Sequence, residues 1–152
     1  MQHRLTIVFA TALTCGCATT TDNRRSDNTV SFVLQAGQRN EGQTGRAFMT
    51  AQGDRTVLNL TITGVPPWVG RPVQLFTFVY PGSCGKLGAN PAYALNDIVQ
   101  AGLFSNSSAF GPFSMAKTIP TSVETLRTGN YALVLRSSPA DGNVDIFCGD
   151  MK

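Results

Sequence analysis

The chain has 152 residues, of which 42% are hydrophobic and only 14% charged, against roughly 25% charged in a typical globular protein. That is one domain with enough apolar material for a core, and its formal charge of +3 gathers into no basic stripe, which leaves nucleic acid without support as a partner. The sole histidine is His3, so Ser-His-Asp and Cys-His nucleophile machinery and imidazole metal sites are excluded from the body of the chain.

Residues 1–17 read MQHRLTIVFATALTCGC. His3 and Arg4 precede an apolar run from Leu5 to Leu13, too short to span a bilayer and of the length of a secretory signal core. The run ends in a small-residue cysteine motif that resembles a bacterial lipobox. Cys17, after Gly16, fits lipidation better than Cys15, after Thr14, which stays as the alternative; an ordinary cleaved signal without lipid is the other reading. Acylation would anchor the protein to a membrane, each buried methylene contributing about 0.8 kcal/mol. The expected location is the cell envelope, on the outer membrane facing the periplasm. Residues 18–28 (ATTTDNRRSDN) are small and polar with no apolar period and read as a flexible tether. Arg24 and Arg25 could touch anionic headgroups, although a solvated linker accounts for them as well.

From Thr29 the pattern is β. Val30, Phe32, Leu34 and Ala36 alternate with Ser31, Val33 and Gln35 up to Gly37, and Gly45–Ala51 forms a second strand with a hairpin turn at Gln52-Gly53-Asp54. Leu58, Leu60 and Ile62 define one face of a third strand. Adjacent prolines make 64–70 (GVPPWVG) a loop, in which Trp68 reads as a plug over the open end of a sandwich or, alternatively, as a ligand platform.

The stretch Pro72–Cys84 (PVQLFTFVYPGSC) is the centre of the pattern. Val73, Leu75, Thr77 and Val79 fall on one face and Gln74, Phe76, Phe78 and Tyr80 on the other, after which Pro81-Gly82 is expected to break the strand. A long loop then runs to Gly102, with Asp97 its only carboxylate and Lys86 its only basic residue. Leu103–Gly111 is small and polar, and Phe113–Ile119 resumes as a strand. Thr121 and Glu124 have capping-box spacing for a short helical turn ending at Gly129-Asn130. Strands at 131–136 and 144–148 flank a turn at Asp141-Gly142-Asn143. Seven or eight short strands with one short helical turn indicate an all-β Greek-key sandwich or barrel over residues 29–152.

Several spaced motifs add to this: Gly82-Ser83-Cys84, Leu87-Gly88, Pro91-Ala92-Tyr93-Ala94-Leu95, Leu126, Gly129-Asn130-Tyr131-Ala132-Leu133 and Cys148-Gly149-Asp150. Together they resemble the copper/zinc superoxide dismutase-like family, in particular its small secreted members without a long zinc loop, over roughly residues 30–152. The resemblance implies a disulfide between Cys84 and Cys148. Two cysteines left over after lipidation of an exported protein most simply pair in the same way. It also implies that Phe78, Tyr80 and Arg136 stand where metal-binding members carry copper histidines. Phenylalanine has no lone pair, tyrosine with a pKa of about 10 is a poor ligand at neutral pH, and arginine is a permanent cation.

Two readings of those positions follow. A guanidinium laid against the two rings would make them packing; left uncovered, Phe76, Phe78 and Tyr80 would instead form an aromatic patch for a protein or glycan partner. Asp141, Asp145 and Asp150 are close in sequence, but turn and terminal-motif roles for Asp141 and Asp150 leave no carboxylate pair for glycoside hydrolysis. The expectation is a non-catalytic envelope lipoprotein with no metal and no cofactor, acting as a binding or structural module. The alternative is a copper-dependent superoxide dismutase or copper-binding protein with unusual ligands such as Met49, Met115 or Tyr80.

Overall fold

In the computed structural model, residues 29–101 and 111–152 are described. The signal segment with Cys15 and Cys17, the tether, and the Leu103–Gly111 stretch apart from Gly111 lie outside the described residues. Strict alternation builds the first three strands, β1 (Thr29–Ala36), β2 (Thr44–Gln52) and β3 (Arg55–Ile62). Each buries alternate side chains: Phe32 and Leu34, then Ala47 and Met49, then Leu58, Leu60 and Ile62. The β2–β3 hairpin turns at Gly53, whose φ of +63° suits glycine. In the following loop Val65 and Val69 are buried while Trp68 is 43% exposed. The loop's buried side chains are thus these valines, which join the core, and not the tryptophan expected to plug it.

The central strand, β4 (Leu75–Ser83), does not stop at Pro81. Pro81 pairs with Tyr131, and the Gly82 N–H donates to the Asn130 carbonyl at 2.8 Å. The expected break is therefore a bend. Gly82 at φ +101° turns the chain into β5 (Lys86–Leu87), which pairs back on β4, and a Cβ at Gly82 would lie 2.2 Å from the Lys86 carbonyl oxygen. Next, β6 (Tyr93–Ala94) pairs with β4, and the chain keeps alongside it to Ala101. Leu95 N–H donates to Thr77 O at 2.8 Å and Ala101 N–H to Val73 O at 2.9 Å.

β7 (Phe113–Ile119) returns beside β3. The helix α1 (Val123–Thr128) is capped by Ser122, whose Oγ accepts the Thr125 N–H at 3.1 Å. The expected Thr121–Glu124 box is thus displaced by one residue, and Glu124 instead makes an exposed pair with Arg127 at 3.7 Å. β8 (Tyr131–Ser137) lies between β4 and β9 (Asp145–Asp150), and β9 pairs with β1.

All pairings are antiparallel, in the order β5-β4-β8-β9-β1-β2-β3-β7 with β6 also on β4. The chain leaves β3 for β4, returns to β7 beside β3, then leaves again for β8 beside β4: the crossovers of a Greek key. The fold is all-β, with seven long strands and two of two residues among the described residues. Leu34, Met49, Leu60, Leu75, Leu133, Leu135 and Phe147 are all essentially inaccessible in the core between the two halves, each such side chain stabilising by roughly 1.5–3 kcal/mol.

Candidate functional site

The outer face of β4, β8 and β9 is set by register. Phe76, Phe78 and Tyr80 stand opposite Arg136, Val134 and Ala132, which in turn stand opposite Asp145, Cys148 and Asp150. Cys84, just past β4, bonds to Cys148 with S–S 2.06 Å and Cα–Cα 5.8 Å, the pairing expected from the sequence. The Cys84 N–H also donates to Asp150 Oδ1 at 2.8 Å. The 82–88 hairpin is thereby held to β9 across this face, and Ala132 and Val134 are fully buried although they point away from the main core.

Arg136 occupies the middle of the cluster. Its Cζ lies 5.5 Å from the Phe78 ring centroid and 5.3 Å from that of Tyr80, and the two rings are 6.2 Å apart at 53°. Its Nη1 donates to the Tyr80 hydroxyl at 2.9 Å and its Nε donates to Asp145 Oδ1. Burial disfavours the guanidinium charge, but the hydrogen bond and attraction from Asp145, with Tyr80 adding, outweigh it and raise the Arg136 pKa above its ordinary value. Each cation–π contact is worth about 0.5–2 kcal/mol.

The aromatic patch is smaller than an uncovered strand would present. Tyr80 is only 6% exposed, and Phe76 and Phe78 are half-buried. Beyond Asp145 the face opens into a polar groove of about 500 Å³ lined by Gln38, Arg39, Arg136, Asn143 and Asp145. Arg39 is exposed there and forms no ion pair among the described residues.

The three carboxylates do not converge. Asp145 pairs with Arg136, Asp150 accepts from Cys84, and Asp141 accepts from Ser138 Oγ at 2.7 Å and from the Gly70 N–H at 3.0 Å. Met49 and Met115 project into the core from strands on either side of β3, whereas Tyr80 is on the outer face with its hydroxyl engaged by a cation. These three cannot close on one ion. Among the described residues no group of three His, Cys, Asp or Glu side chains is placed to hold a metal.

Sequence reasoning missed Asp145 as the partner of Arg136. A register shift between Leu135 and Arg136 brings them opposite each other, and no residue pattern announces it. It also missed Lys117, which falls on the buried face of β7; the alternation Phe113, Met115, Lys117, Ile119 carried that signal. Compared with protein-family models, curated proteins and solved structures, the chain finds no match.

Proposed function

We propose that this protein is a non-catalytic, metal-free superoxide dismutase-like lipoprotein of the cell envelope, and that it acts as a binding module. The observation that carries this reading is Arg136. It lies across Phe78 and Tyr80, two positions that the family resemblance aligns with copper ligands, and it is held there by Asp145. A fixed cation repels a metal ion at that spot and makes the face suitable for hydrogen-bonded recognition. The Cys84–Cys148 bridge, which the same resemblance implies, adds support. The half-buried Phe76 and Phe78 beside a groove carrying Arg39, Gln38 and Asn143 suit a protein or glycan partner that offers both apolar and polar groups. Anchoring through Cys17, or alternatively Cys15, would tether the domain to the membrane.

The test is capture of a partner from an envelope extract by the wild-type protein, compared with Arg136→Ala, Phe78→Ala and Arg39→Ala. Variants that stay folded and lose a specific protein or glycan support the reading. Folded variants that retain everything the wild type captures contradict it.

A further inference from the structure

Lys117 belongs to none of the machinery above. It is 9% exposed on the core-facing side of β7, in series with Phe113, Met115 and Ile119. Its Nζ donates to the Ile98 carbonyl, bridging the seam where the curled sheet's last strand meets the segment that follows β6. An inward lysine on an edge strand guards against strand addition, but that role does not require the space found beside it.

Lys117 lines a pocket of about 240 Å³ together with the apolar Val57, Leu95, Ile98 and Ala116 and the polar Asp97 and Thr118. An enclosed apolar cavity of about 150 Å³ takes up benzene; this pocket is larger and opens to solvent on the side of Ile98, which is 70% exposed, and it has room for an aromatic ring or a short acyl chain. Burial lowers the Lys117 pKa, and the attraction of Asp97 only partly opposes it. More of the nucleophilic free amine is therefore present than at a solvated lysine. An anionic ligand fits poorly, because Asp97 repels it and most of the remaining lining is apolar.

We propose that Lys117 is a carbonyl-capture site, at which its amine condenses with a small apolar aldehyde whose body fills the cavity. The nitrogen lone pair attacks the carbonyl carbon, forming the C–N bond and sending the C=O π pair to oxygen. Proton transfer from nitrogen to oxygen gives a carbinolamine. Loss of that hydroxyl as water, with the remaining nitrogen proton, leaves a neutral imine. No oxidant or reductant takes part, and Asp97 is the carboxylate on hand for the proton transfers. The site is independent of the Arg136 face and does not depend on its role.

The chain contains three lysines, Lys86, Lys117 and Lys152, and the other two are exposed internal controls. The oxidised full chain is treated with limiting benzaldehyde and cyanoborohydride near neutral pH, and the benzylated lysines are quantified by peptide mapping. Lys117 is expected to react several-fold faster than Lys86 and Lys152, to lose that preference in urea, and to show none towards charged glyoxylate. Equal or slower reaction at Lys117, a preference that survives unfolding, or an equal preference for glyoxylate would overturn the proposal.

Discussion

The Arg136 Nη1 donates to the Tyr80 hydroxyl at 2.9 Å while its Nε holds Asp145, so one guanidinium ties β4, β8 and β9 together on the outer face. Both partners come from adjacent strands, and the same cation covers two rings. Truncation removes all of these contacts at once. Arg136→Ala should cost about 1–3 kcal/mol in denaturant unfolding. Because Asp145 is half exposed, a double-mutant cycle between Arg136 and Asp145 should return only about 0.5–1 kcal/mol. A cycle near zero with an unchanged midpoint for Arg136→Ala would show the cluster to be energetically idle.

The disulfide spans a sequence separation of 64. In the chain-entropy model a loop of that size stabilises by about 4 kcal/mol at most. The Cys84→Ser, Cys148→Ser double variant should therefore lose several kcal/mol. Asp150→Ala should lose less, since it removes one charge-assisted hydrogen bond to the Cys84 N–H. Equal stability of oxidised and reduced protein would contradict this.

Thr77 is wholly buried, and its hydroxyl is the buried side-chain oxygen without a partner among the described residues. Its backbone N–H, by contrast, is met by Asn96 Oδ1 at 2.8 Å. Thr77→Val keeps the shape and removes the unsatisfied oxygen. It should raise stability by about 1 kcal/mol. A loss of stability would mean that the hydroxyl has a partner in solution.

Two cases show how far the residues alone reach. Alternation placed Leu75, Thr77 and Val79 inward and Phe76 and Phe78 outward, and the structure agrees, because a two-residue period is a local property of each strand. The exposure of Tyr80 and the Arg136–Asp145 pair depend instead on how a hairpin folds over its sheet and on a one-residue register shift. Those are relations between distant segments, and no pattern within either segment encodes them. The strand break expected at Pro81-Gly82 is absent for a related reason. A proline ends a strand only where its missing N–H is needed, and beside Tyr131 it is tolerated.

Burial lowers the Lys117 pKa, so the folded state is penalised for carrying the charge. That penalty is complete at pH values below the folded pKa and is relieved as pH rises from there towards the unfolded lysine value of about 10.4. Over this alkaline window wild-type stability should rise relative to Lys117→Met, with the nearby Asp97 moderating the slope. Parallel stability–pH curves for the two proteins would show that Lys117 titrates like a solvated lysine.

The most direct measurement is metal content and superoxide dismutation by the oxidised protein after exposure to copper and zinc. With Arg136 seated between Phe78 and Tyr80, and no cluster of ligands among the described residues, negligible bound metal and no dismutation are expected. Uptake of about one copper per chain, accompanied by turnover, would contradict the reading of this face as a metal-free binding surface.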